Sequence, residues 1–134
     1  MRRYLLLLIM VAALPLAAFR NPPGALRYSE MADKYAAQGQ TAVALELYTR
    51  AVDMEPQNPK HFITRGFFLL KLKHYDEALS DLSMAIKLEP QSPSNYIARG
   101  FVYSDLKRAK EADADFASAC SLGSTDGCGF AGHK

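Results

Sequence analysis

The sequence predicts an all-α fold of three helix-turn-helix units stacked in tandem over residues 25–126. Three observations carry this reading. Large and small side chains recur in the same order every 34 residues, without an insertion. Pro and Gly stand where helices would have to begin or end. Composition is that of a globular chain, with 49% apolar and 22% charged residues in a length of 134 that suits one domain.

The recurrence is explicit in six columns. Tyr28 aligns with Phe62 and Tyr96, Ala32 with Gly66 and Gly100, and Tyr35 with Leu69 and Tyr103. Further along, Ala44 aligns with Ala78 and Ala112, Tyr48 with Leu82 and Phe116, and Ala51 with Ala85 and Ala119. Two antiparallel helices approach closely only where the side chains between them are small, which accounts for the Ala and Gly columns. The large columns fill the space on either side of that contact. Pro56 and Pro90 follow Glu55 and Glu89 and stop the second helix of a unit, because proline lacks the amide donor and clashes with the preceding turn. Pro59 and Pro93 open the next unit at a position that tolerates them. The expected helices are 25–38 and 41–54, 59–72 and 75–88, and 93–106 and 109–122, with Gly39 breaking the first pair.

These columns resemble the tetratricopeptide repeat family over residues 25–126, as repeats 25–58, 59–92 and 93–126. The family's pattern is an aromatic, a small residue four later, an aromatic three after that, and then Ala, an aromatic, Ala and Pro. The resemblance implies a right-handed α-solenoid and a role in protein binding. It also implies that the first helices of successive repeats line a concave groove for a peptide. By that pattern the groove residues of the second and third repeats include Ile63, Phe67, Leu70, Lys71, Ile97 and Phe101, an apolar centre with charge at its ends. Chaperone cofactors of the family clamp a terminal carboxylate with Lys, Asn and Arg in these columns. This chain has none of that set, so an apolar segment is the expected ligand.

Two columns change together. Arg65 and Arg99 precede the small column in repeats two and three, with Asp81 and Asp115 sixteen residues on, whereas repeat one has Met31 and Leu47 in those places. The simplest account is a partly buried, structural Arg–Asp pair between the two helices of a repeat. The third repeat departs elsewhere: Leu45 and Leu79 give way to Asp113, Pro56 and Pro90 to Ser124, and Thr41 and Tyr75 to Ala109. A solenoid's last repeat needs a polar or small outer face, so the array is expected to end here. Residues 127–134 are read as a C-terminal tail, too short for the cap helix that the family usually adds.

Residues 1–19 read as a signal peptide or membrane anchor, and 20–24 as a linker. Arg2 and Arg3 precede an uncharged apolar run from Tyr4 to Phe19, with Ala17 and Ala18 at its end. The run is shorter than the roughly 20 residues a helix needs to cross a bilayer core. Cleavage after Ala18 is the first expectation, and an uncleaved anchor the alternative. Either route exports the repeats to a periplasmic or secreted location, or leaves them facing the extracytoplasmic side.

Arg2 and Arg3 also account for the whole net charge of +2, since residues 20–134 carry 14 basic and 14 acidic side chains. A balanced domain has no electrostatic footprint for phosphate backbones, so no nucleic-acid partner is expected. Cys120 and Cys128 are the only cysteines. A zinc site would need ligands beyond His133, a redox motif usually has two intervening residues, and two free thiols remain open. The segment 119–128 is similar to secreted bacterial helix-pair repeats, and that likeness implies a structural disulfide in place of the cap helix. No metal, cofactor or active-site motif is expected, and no enzyme. The expected function is an extracytoplasmic adaptor or scaffold with a protein or peptide partner, touching membrane only if the N-terminal segment is retained. The alternative is a structural subunit of an envelope or secretion assembly.

Overall fold

The computed structural model describes residues 24–132. The signal or anchor segment, all of the linker except Gly24, and His133 lie outside the described residues. Among the described residues there are seven helices and no strands: α1 Ala25–Ala37, α2 Thr41–Met54, α3 Pro59–Lys71, α4 Tyr75–Leu88, α5 Pro93–Asp105, α6 Ala109–Ser121 and α7 Thr125–Ala131. They pack as antiparallel pairs α1–α2, α3–α4 and α5–α6, each pair stacked on the next, the architecture of an all-α solenoid. None of these helices is long and apolar enough to cross a membrane.

Each helix pair turns on the same backbone device. Gly39, Lys73 and Lys107 all have positive φ, at 75°, 61° and 59°. Their amides return to the carbonyls of Ala36, Leu70 and Ser104 at 2.9–3.0 Å, and the next residue's amide reaches Tyr35, Leu69 and Tyr103 at 2.8–2.9 Å. This paired bonding satisfies carbonyls that the helix end would otherwise leave open. Only the first repeat uses the glycine that such a conformation favours. Between repeats the chain is stopped differently: Pro59 and Pro93 occupy the first helical turn, and Asn58 accepts the amide of Lys60 at 3.1 Å.

The core is what the small columns allow. Ala32, Ala44, Ala51, Ala78 and Ala85 are buried to 0% exposure, and large side chains pack beside them. Tyr48 and Phe68 join Ala32, Ala44 and Leu47 in the first cluster, and Leu69, Leu82, Ala98 and Val102 surround Ala78 in the second. A Cβ on Gly100 would sit 2.7 Å from the Phe116 ring, and one on Gly66 3.1 Å from Leu82. The larger Phe116 ring therefore leaves less room at Gly100 than Leu82 leaves at Gly66.

The third repeat ends unlike the others, and here the expectation needs correcting. Residues 127–131 are not a tail: the chain is helical from Thr125 to Ala131 as α7, a short helix following the third pair. Gly123 takes φ 93° and repeats the turn device, with its amide on Cys120 and that of Ser124 on Ala119. Ser124 replaces the proline of the earlier repeats because it caps α7, accepting the Gly127 amide at 3.1 Å. Gly127 lies so close to α6 that a Cβ would be 2.7 Å from Ala119 and 2.8 Å from the Cys120 nitrogen. The Cys120 and Cys128 sulfurs are at bonding distance, with their Cα atoms 4.5 Å apart.

Candidate functional site

The first helices of the three repeats, α1, α3 and α5, share one face of the stack. Between α1 and α3 that face sinks into an open depression of about 560 Å³. Ile63, Phe67 and Lys71 line it from α3, and Asp33, Ala36 and Ala37 from α1. Ile63, Phe67 and Lys71 lie on one side of α3 because they are four residues apart, close to one helical turn. Phe67 leaves 42% of its surface exposed, unusual for a phenylalanine in a well-packed repeat.

The other three groove candidates are not in this depression. Leu70 is half-buried against the second core cluster, beside Leu69 and Val102. Ile97 is half-buried on α5. Phe101 is 40% exposed, but its ring lies 5.6 Å from Phe116 and 5.2 Å from Phe130 in edge-on contacts. Phe67 and Phe101 occupy one column of the repeat yet meet different surroundings, because only the third repeat is followed by α7.

The floor of the depression holds a polar contact that column reading passed over. The Tyr48 hydroxyl donates to Asp33 Oδ1. Burial holds the Tyr48 hydroxyl above the usual tyrosine range, and its bond to Asp33 adds to the rise. A signal was present in the sequence. Fifteen residues separate Asp33 from Tyr48 and Phe101 from Phe116, so the same two columns face each other in both repeats. Where the first column loses its ring, the second carries a hydroxyl.

Two further polar systems hold the helices that frame the site. Arg65 grips Asp81 through two bonds of 2.7 Å, from Nε and Nη2, while its Nη1 donates to Thr49 Oγ1 at 3.3 Å. Arg99 repeats this on Asp115 at 2.8 and 2.7 Å, and reaches Ser83 Oγ at 3.1 Å. Each arginine thus ties its own repeat together and bonds the preceding one through a hydroxyl. Thr49 and Ser83 share a column whose third member is Ala117. The second system is His61, buried between repeats, with Nδ1 3.3 Å from Ser29 Oγ and Nε2 2.9 Å from Glu55. The Glu55 carboxyl is held below its ordinary range, first by a bond from Asn58 and then by His61. In the next repeat the His61 column is Asn95, whose amide donates to the carbonyls of Ala85 and Glu89 at 3.3 Å. Among the described residues no group of three or more His, Cys, Asp or Glu side chains could hold a metal ion.

Comparison with known proteins agrees with this geometry. Residues 35–98 match the tetratricopeptide repeat family. No curated protein matches the sequence. The first tetratricopeptide repeat domain of Spaghetti (RPAP3), solved bound to the HSP90 peptide SRMEEVD, superposes with a TM-score of 0.70 at 28% identity, covering 80% of this chain and 86% of that one. The second such domain of human RPAP3, in complex with the HSP70 peptide SGPTIEEVD, gives 0.69 at 25% identity, with 80% and 91% covered. The Sgt2 domain from Aspergillus fumigatus gives 0.71 at 18% identity, with 82% and 76% covered, and shares the fold.

Proposed function

Since this chain is a tetratricopeptide repeat protein, we propose that it is an extracytoplasmic interaction module that holds an apolar peptide segment against α1, α3 and α5. The observation that carries the reading is Phe67, half exposed in the wall of the α1–α3 depression. A ring held in water at the rim of a preformed groove is a typical anchor for a partner's side chain. Neighbouring structures support a peptide as the ligand, since RPAP3 domains are bound to peptides ending in EEVD. The chemistry here differs from what an acidic tail would want. Asp33 stands in the groove and would repel a carboxylate, while Lys71 supplies one cation on the opposite wall. A segment with apolar side chains, and no run of acids, fits these walls.

The export half of the proposal rests on Arg2 and Arg3 ahead of an apolar run, and on a cysteine pair poised for a bond that persists in oxidising compartments. N-terminal sequencing should find the mature chain starting near Phe19. The ligand half is tested by selecting peptides from a random display library on the purified chain, then titrating the winners by calorimetry. Apolar and aromatic sequences should be enriched, and Phe67→Ala should weaken binding at least about tenfold with an unchanged melting temperature. Winners rich in Asp and Glu, or equal affinity for Phe67→Ala, would overturn it. A permanent assembly subunit would instead elute as an oligomer and show no separable peptide affinity.

A further inference from the structure

We infer that the Cys120–Cys128 bond is a redox latch: oxidised, it holds α7 over the open end of the third repeat, and reduced, it lets α7 leave. The short helix α7 is the moving part. It has seven residues, two of them glycines, and buries only Gly127. A helix this short and this glycine-rich does not persist in water without tertiary support. Its non-covalent supports all come from the neighbouring ends of α5 and α6 and from its own cap. Ser124 caps it, Gly127 rests on the α6 backbone at Ala119 and Cys120, and Phe130 lays its ring 5.2 Å from those of Phe101 and Phe116. Phe130 is itself 38% exposed, so its contribution is partial. The remaining support is the covalent one.

That bond is placed to act locally and to be reached. Cys120 and Cys128 are eight residues apart, so the link restrains the end of α6 and α7 and spans no other element. Cys128 is exposed and Cys120 half exposed, which leaves a line of approach for an incoming thiolate. Opening requires a dithiol reductant. Its first thiolate attacks the Cys128 sulfur, and the Cys120 thiolate leaves and takes up a proton. Its second thiolate then resolves the mixed disulfide and frees Cys128. Two electrons pass to the chain, and the reductant departs as a disulfide. With α7 gone, Phe116, now 6% exposed, loses a cover, and Phe101 loses the Phe130 ring and keeps only that of Phe116 on the face it shares with Phe67. The redox state therefore sets how much aromatic surface the end of the solenoid presents.

Hydrogen exchange of the full chain, followed by mass spectrometry with and without dithiothreitol, tests the latch. Reduction should lower protection at 125–131 and in the last turn of α6 by at least about tenfold, leaving α2–α4 as they were. Cys128→Ser should give the reduced pattern with no reductant present. In a Phe130→Trp chain, reduction should move the emission to longer wavelength. Undiminished protection of α7 after reduction would overturn the inference, since packing alone would then hold it. So would loss of protection through α1–α6 together, or a Cys128→Ser chain that fails to fold, since either makes the bond a staple of the whole fold.

Discussion

Replacing Arg65 by methionine should cost more than replacing Arg65 and Asp81 together. The Asp81 side chain is 7% exposed and takes both of its charge-assisted bonds from Arg65, each 2.7 Å long. Removing one partner of a buried pair commonly costs about 3–5 kcal/mol, because a desolvated charge is left behind. Arg65 retains 19% exposure, so water can enter where its head was, and we expect a cost just below that range, about 2–3 kcal/mol. For a domain of this size that is a fall in melting temperature of roughly 10–20 °C. Arg65→Met/Asp81→Leu copies the Met31 and Leu47 of repeat one, where these columns are apolar, and should cost only about 0–1 kcal/mol. Asp81→Leu alone should fall between, because the more exposed guanidinium can turn to solvent. A four-member cycle by urea and thermal denaturation measures the coupling, expected at about 3 kcal/mol. Coupling below about 0.5 kcal/mol would mean that the pair is geometric decoration and that the reasoning is wrong.

Three more expectations follow from the geometry. Gly66→Ala and Gly100→Ala should differ in cost: a Cβ at 66 would meet the Leu82 side chain at 3.1 Å, a contact relieved by a shift of a few tenths of an ångström, whereas one at 100 would meet the Phe116 ring at 2.7 Å. The first should be neutral or stabilise by up to about 1 kcal/mol, and the second destabilise by about 1–3 kcal/mol, as thermal melts will read. Lys73→Gly and Lys107→Gly relieve positive φ in the pair turns at the cost of a looser unfolded chain, and each should leave stability unchanged or raised by up to about 1 kcal/mol; a clear loss would show that the lysine side chains hold the turns. Glu55 and Glu111 have carboxyls held below their ordinary value of 4.5, by Asn58 and then His61 in one case and by Arg108 in the other. A depressed folded-state value stabilises above the unfolded value and is lost as pH falls through the folded one, so melting temperature should drop between about pH 5 and 3. Glu55→Gln and Glu111→Gln should flatten that slope; an unaltered slope would remove both groups from the account.

The repeats were legible because periodicity reports on neighbours that are themselves repeated. Ala44, Ala78 and Ala112 recur because each sits at the same crossing of two helices, and the helix limits deduced from the columns differ from the observed ones by a single residue at the C-termini of α1, α3, α5 and α6. The Arg–Asp columns could be paired because repeat one exchanges both members at once. The pair turns were only half legible: Gly39 marks its turn, while Lys73 and Lys107 adopt the same left-handed backbone with nothing in their identity to announce it. Alignment in steps of 34 would have found them.

What periodicity cannot report is a position whose neighbour is not repeated. Phe67 and Phe101 are equivalent in the alignment, but the first faces a groove walled by α1 and the second meets Phe130 from α7. Nothing in their own columns separates them. Ser124 read as a lost proline and α7 as a tail for the same reason. In a stacked array the middle of the face is determined by the pattern and the two ends by whatever stands beyond it. Those ends are also where this chain differs most from its own repeat: the Asp33–Tyr48 contact at one, the Phe101–Phe116–Phe130 cluster and the paired cysteines at the other. Selectivity for a partner must come from residues that the fold does not itself demand, and in a three-repeat array most such freedom lies at its two ends.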